Sequence, residues 1–199
     1  MANRQEDGVM SHWLTSDTHF GHFNIMKYCA TTRPFKDLDE MHAELIARWN
    51  ACIEADDEVT VVGDMIATRQ PDRRLMIGIM QMLNGRKRLV RGNHDPDTEL
   101  FMEGGFVDVV DHVWMPETKI LIIHKAPDPK WGPAELRIAQ ALQPAMVVHG
   151  HDHRHETPEH PGCLNVCADR WSLGPVPWQV VLNRLPAAAQ EACSWALQK

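Results

Sequence analysis

Apolar residues along this chain follow two patterns. Short runs of branched apolar residues stop abruptly at Gly, Asp, Asn or His, and longer stretches carry apolar residues at helical spacing. The runs at 12–16, 59–62, 88–91, 119–124 and 146–148 read as strands, because branched side chains suit a pleated surface. Residues 107–114 read as another strand, joined to 119–124 by a turn at 115–118, and 164–168 and 176–182 as closing strands around Gly174-Pro175. Asp37-x-x-Glu40 has the form of a helix N-terminal capping box, and Leu38, Met41, Leu45, Ile46, Trp49 and Ile53 then recur on one face. Pro71 suits the first turn of the next helix and Gly85 its end. Between them Leu75, Met76, Ile79, Met80, Met82 and Leu83 form a broad apolar face, a methionine-rich stripe that reads as core. Shorter helices are expected over 23–29, 99–103 and 134–142, and another in the tail at 187–197. Strands alternating with helices indicate the α/β class, and periodicity alone does not separate one sheet from two.

The chemistry sits where the strands stop. The run ends carry Asp17-Thr18-His19, Gly63-Asp64, Gly92-Asn93-His94-Asp95, His124 and Gly150-His151-Asp152-His153. Gly92 permits a sharp turn or a close backbone approach just before three side chains of different chemistry. Five strands that each end in Asp, Asn or His form the main functional signal of the chain.

Bulk properties narrow the classes. A length of 199 residues suits one domain, expected over 11–199 after a disordered lead-in at 1–10. The net charge of −7 argues against a broad nucleic-acid-binding surface, though not against a short or single-stranded substrate. Cys29, Cys52, Cys163, Cys167 and Cys193 have no framework spacing and read as reduced, mostly buried thiols. The polar, acidic start does not resemble a signal peptide, and no apolar run reaches membrane-spanning length, so a cytoplasmic location is expected.

The five motifs, in this order and each after a strand, resemble the calcineurin-like metallophosphoesterase superfamily. The flanking text, DTHFGHFNI with Arg33-Pro34-Phe35 and Trp49-Asn50, is similar to its small bacterial and phage members. The resemblance implies a two-sheet β-sandwich flanked by helices, with the site at the strand ends. It implies one metal held by Asp17, His19, Asp64 and His153, and a second by Asp64, Asn93, His124 and His151, with Asp64 as the bridge. Such a mixed oxygen and imidazole set suits Mn²⁺, Fe, Zn²⁺ or Ni²⁺ better than Ca²⁺ or soft copper. Two such divalent ions would hold a phosphate and activate a bridging water.

By the same resemblance His94 faces the scissile phosphate as general acid or transition-state stabiliser, and Asp95 orients its imidazole. His22, Arg33 and Arg154 are candidate substrate contacts. Lys125, His155 and Arg170 are weaker ones, and for these three and Arg154 solvated surface charge is the competing reading. His149 precedes the last motif as a candidate supporting residue, whereas His12, His42, His112 and His160 read as surface or satisfied core positions.

The implied activity is phosphoester hydrolysis, with diesters preferred, on a phosphorylated small molecule or nucleotide. Monoesters and nucleotide pyrophosphates are alternatives on the same site. A non-catalytic protein-interaction module on this fold is the competing class, and it is disfavoured because all seven implied ligands and His94 are present.

Overall fold

The computed structural model describes residues 10–68, 72–154 and 162–185. Strands β1 (His12–Thr15), β2 (Glu58–Val61), β3 (Arg86–Val90) and β4 (Phe106–Val110) run parallel in one sheet, and β9 (Val176–Pro177) adds antiparallel to β1. Strands β5 (Val113–Met115), β6 (Ile120–Ile122), β7 (Met146–His149) and β8 (Cys163–Asn165) form a second sheet in that order. The fold is thus the α/β two-sheet sandwich with flanking helices that the motifs implied.

Alternation along each strand builds the layers. Leu14, Val62 and Val90 from the first sheet meet Ile120, Ile122, Met146, Val148 and Leu164 from the second in a shared core. The opposite residues of the first sheet, among them Val59, Val61 and Leu89, pack with Met41, Leu45 and Trp49 of α2 (Leu38–Cys52) and Met76, Ile79 and Met80 of α3 (Arg73–Met82). Leu121, Ile123 and Val147 face outward from the second sheet onto α5 (Pro133–Leu142). Both sheets are therefore packed on both faces near the site, while β3 and β4 also carry the exposed Arg88–Asp108 pair. The methionine stripe of α3 is core, as its spacing predicts.

Local chemistry sets the helix starts. Asp37 accepts from the Glu40 N–H at 2.9 Å, while Glu40 Oε2 accepts from the Lys36 N–H, so the capping box forms one residue displaced at its return bond. Asp72 caps α3 from outside the helix by accepting from Leu75 N, and Pro71 lies outside the described residues. Helices α1 (Ile25–Tyr28) and α4 (Thr98–Glu103) fall inside or near the expected short helices. The tail at 187–197 and the lead-in at 1–9 are outside the described residues.

Four expectations change. The run at 107–114 is not one strand: β4 ends at Val110 in the first sheet and β5 begins at Val113 in the second. Asp111 and His112, two adjacent polar residues between Val110 and Val113, form the corner between sheets. The run at 176–182 is strand only at Val176–Pro177, after which α6 (Trp178–Arg184) begins. Pro177 lacks the N–H for continued pairing, and Trp178 and Val181 bury one helical face at three-residue spacing. Strand 164–168 likewise stops at Asn165 and gives way to a 3₁₀ turn at Ala168–Trp171. The cysteines also differ from the expected burial: Cys167 is buried, Cys29 and Cys163 are half-buried and Cys52 is exposed, all as thiols.

His12 links this fold to pH. Its Nε2 lies 2.9 Å from Thr60 Oγ1 and its ring stacks on Trp178 at 4.8 Å. Burial pushes its pKa down to about 4. The unfolded chain takes up a proton near pH 6.5 that the native state refuses, so this contribution is complete above that pH and is lost toward pH 4. Urea denaturation of His12→Asn should therefore lose less stability between pH 7 and pH 4.5 than the parent, by up to roughly 2–3 kcal/mol. Equal acid sensitivity in the two proteins would contradict this account.

Candidate metal centre

The site grows from the carboxyl ends of β1, β2, β3, β6 and β7. Backbone bonds hold the ends together: Asp17 N–H donates to Gly63 O at 2.9 Å, His19 N–H to Asp64 O at 3.1 Å and Gly150 N–H to His124 O at 2.9 Å. Asp17, His19, Asp64 and His151 all adopt left-handed backbone, with φ of 57°, 55°, 51° and 69°. Non-glycine residues rarely do so, and each such residue costs of order 1–3 kcal/mol when held in a sparse region. Two glycines are required by close approach. A Cβ on Gly92 would collide with the Asp64 carboxylate and backbone nitrogen, and one on Gly150 with Ser16 Oγ and the Asp17 carboxylate.

Two carboxylates lie at the centre, Asp17 at 0% and Asp64 at 1% exposure. Asp17 Oδ2 accepts from the Ser16 hydroxyl and from the His151 N–H at 2.8 Å. Its Oδ1 has no hydrogen-bond partner and lies 3.7 Å from His19 Nε2 and 3.5 Å from His153 Nε2. Asp64 Oδ1 accepts from the His94 N–H at 2.8 Å, which leaves Oδ2 turned to the histidines: 3.4 Å from His124 Nε2 and 3.9 Å from His19 Nε2. The nitrogens His19 Nε2 and His124 Nε2 are also buried without a partner.

These separations are too long for hydrogen bonds but suit donors arranged around a cation. Asp17, Asp64, His124 and His151 offer ligand atoms all within 4.8 Å of one another, as do Asp17, His19 and His153. The donor set of carboxylate oxygens and imidazole nitrogens, with three orphaned buried atoms, fits divalent metal.

Electrostatics agree. Burial would raise Asp17, yet the neighbouring imidazoles of His153, His19 and His124 hold its carboxyl well below the usual range, and His124 does the same for Asp64. Burial works against the His124 imidazolium, but Asp64 and Asp17 overcome it and push the pKa up to about 9. His151 lacks a comparable partner, and burial takes it down to about 4. Tautomers are fixed from behind. His124 Nδ1–H donates to Val62 O at 2.9 Å and His153 Nδ1–H to Asp169 Oδ2 at 2.7 Å, so each presents Nε2 to the centre.

The remaining candidates divide. His94 borders the cleft with a side chain 50% exposed and Nε2 4.0 Å from Asp64 Oδ2. Asn93 is exposed on the same turn and lines a smaller recess of about 280 Å³ with His124 and Lys125. His22 lies in the larger cleft, of about 850 Å³, with its Nδ1 3.3 Å from His19 Nδ1. Arg154 lines that cleft too, held by Asp152 at 2.8 and 3.1 Å. His149 is buried with Nδ1 2.9 Å from Gly150 O, and His155 lies outside the described residues.

Asp95 and Arg33 are corrected. The Asp95 carboxylate accepts the backbone N–H groups of Asp64, Met65, Ile66 and Gly92, so it clamps two turns together instead of orienting the His94 imidazole. Arg33 does not reach the cleft. It is wholly buried, paired with Asp169 through Nε at 3.0 Å and Nη2 at 2.8 Å, and donates to the carbonyls of Asp17 and Thr18 at 2.6 and 2.8 Å. Asp169 is the important residue missed by sequence reasoning, since it orients His153 and receives Arg33. Its signal was present: Leu164 to Ala168 is one more apolar run that ends in Asp.

Comparison with known proteins follows this geometry. Residues 10–168 match the model of the calcineurin-like phosphoesterase superfamily domain. An uncharacterised protein of Methanocaldococcus jannaschii is 33% identical over 149 residues, covering 75% of this chain and 73% of that protein. The gene 66 protein of Mycobacterium phage D29 is 25% identical over 181 residues, covering 80% and 88% of the two chains. Among solved structures, a protein of unknown function from Aquifex aeolicus superposes with a TM-score of 0.72 at 23% identity, over 87% of this chain and 98% of that one.

The Arg33–Asp169 pair supplies a direct test. Asp169→Asn leaves the Arg33 guanidinium buried without its counter-charge and should destabilise the fold by about 3–5 kcal/mol in urea denaturation. Adding Arg33→Met to that variant should recover a large part of the loss. A single-variant effect below about 1 kcal/mol would show that the pair is not the support described.

Proposed function

The chain belongs to the calcineurin-like phosphoesterase superfamily, a group of metal-dependent hydrolases, and from that premise we propose that it cleaves phosphodiesters at a two-ion centre. The observation that carries the reading is the convergence of buried Asp17 and Asp64 with His19 and His124, three of whose inward atoms have no partner. Asp17, His19, Asp64 and His153 would hold one ion, and Asp64, Asn93, His124 and His151 the other. Asp64 would be the shared ligand, with Oδ2 as its available oxygen because Oδ1 accepts the His94 N–H. Mn²⁺ is the favoured metal, with Fe, Zn²⁺ and Ni²⁺ as alternatives that suit the same donors. Bound divalent ions supply charge that grips phosphate oxygens and acidifies water.

The protein supplies the rest. Asp95 fixes the turn that carries His94, and His94 stands at the open edge of the site to give a proton to the leaving oxygen. Recesses of about 850 Å³ and 280 Å³ both include candidate ligands, which suits a phosphorus centre carrying an organic group on each side. Arg33, Arg91 and Arg154 are committed to protein acceptors, which among the described residues leaves Lys125 of the smaller recess as the added cation and favours a monoanionic diester over a dianionic monoester. We take residues 11–199 as one domain acting in the cytoplasm on a phosphorylated small molecule or nucleotide.

The reading is tested by comparing bis-p-nitrophenyl phosphate with p-nitrophenyl phosphate at matched pH and saturating Mn²⁺. The diester should show the higher kcat/KM, and a higher value for the monoester would overturn the preference. His94→Ala should keep its metal content while slowing diesters with alkyl leaving groups by roughly 10²–10⁴-fold. The defect should shrink for p-nitrophenyl leaving groups, which need little protonation. Loss of metal from this variant would make His94 a ligand instead.

A further inference from the structure

The larger cleft extends well past the candidate ligands. Its volume of about 850 Å³ falls in the range of roughly 300–1,000 Å³ that encloses a drug-sized ligand, so a phosphate group would leave most of it open. The far wall comes from α1 and the turn behind it, with Ile25, Tyr28 and Ala30 facing the cleft. Ile25 is buried beneath this wall, whereas Tyr28 keeps 75% of its surface exposed. The aromatic surface is continuous with the reacting end. His94 and His22 have ring centroids 6.2 Å apart, and His22 meets Tyr28 edge-on at 6.4 Å. The guanidinium that lines this cleft is already engaged, since Arg154 is bound to Asp152. A second phosphate would meet the Asp152 carboxylate here, while a flat apolar group would meet ring faces and aliphatic carbon.

We propose that this wall is a recognition subsite for a planar aromatic group carried by the phosphorus substrate, with Tyr28 as its stacking face. The subsite rests on the phosphoesterase reading, because it is defined by its distance from the centre that would hold the phosphorus. Stacking on one aromatic side chain is worth about 1–3 kcal/mol, or roughly 5–150-fold in affinity.

The test uses non-cleavable anions and equilibrium titration of the Mn²⁺-loaded protein. Methyl-, cyclohexyl- and phenylphosphonate share one anionic head and differ in the attached group. Phenylphosphonate should bind at least fivefold more tightly than methylphosphonate, with the non-planar cyclohexyl compound between them. Tyr28→Ala should reduce the phenyl advantage to within about twofold and leave methylphosphonate unchanged, and Tyr28→Phe should retain it. Tyr28 is exposed, so neither substitution threatens the fold. Uridine 5′-methylphosphonate against ribose 5′-methylphosphonate separates the two sources of a planar group. Selectivity only in this pair identifies a nucleobase, and selectivity only in the phenyl series a simple aryl group. Equal binding within both pairs, or a phenyl advantage that survives Tyr28→Ala, overturns the subsite while methylphosphonate binding keeps the phosphoesterase reading intact. Failure of every anion to bind overturns both.

Discussion

Two carboxylates buried side by side impose the constraint on which the site depends. Asp17 and Asp64 bring ligand atoms within 4.8 Å of each other under almost complete burial, where like charges repel strongly and water does not screen them. Ordinary folding would separate them or protonate one. Here both are held in the ionised state by imidazoles and backbone N–H groups, and the atoms left over point inward. The left-handed backbone at four candidate ligands and the close glycine contacts at Gly92 and Gly150 are the steric cost of that approach. Strain of this kind persists only where the surroundings over-determine it.

The surroundings do so through the sandwich. Parallel strands aim their carboxyl ends in one direction, and two sheets facing a shared core bring two sets of ends to one place. A buried guanidinium then ties the sets together. Arg33 reads the carbonyls of Asp17 and Thr18, which follow β1 in the first sheet, and through Asp169 it reaches His153, which follows β7 in the second. Such a pair need not add net stability over an apolar substitute, but it fixes relative position, because removing either partner strands a charge. Asp95 plays the same part between the ends of β2 and β3, with four backbone N–H groups gathered on one carboxylate. Burial raises its pKa to about 6 against the pull of those bonds.

What could be read from the sequence was local. Apolar runs that stop at polar residues located the strands and their functional ends, and the helix of Leu38–Cys52 was visible from its spacing and cap. Pairing between distant segments was not visible. The polar pair Asp111-His112 breaks the apolar run but does not say that the strands on its two sides join different sheets, and Val176 to Leu182 satisfies either period until Trp178 finds its partners. The misread roles have one cause. A charged residue near a motif looks like a substrate contact, but whether it faces the cleft or the backbone behind it depends on partners far along the chain. Arg33 turns inward because Asp169, 136 positions later, is there to receive it.

The two imidazoles His153 and His124 are consequently not equivalent as candidate ligands. His153 is backed by a carboxylate and His124 by a peptide carbonyl, and an imidazole hydrogen-bonded to a carboxylate is the more basic donor. Asp169 is itself kept ionised, because burial is outweighed by His153 and the Arg33 guanidinium. The position served by His153 is therefore supported by a chain of alternating charge running from Arg33 through Asp169 to the imidazole. The position served by His124 is supported by neutral backbone, and it opens on the recess that holds Asn93 and Lys125. His153, His19, Asp64 and His151 line the larger cleft, whereas His124 and Asn93 line the smaller, so the set around His124 opens on both. Asymmetry in the protein behind the two imidazoles is thus one of backing group, a carboxylate for His153 and a carbonyl for His124.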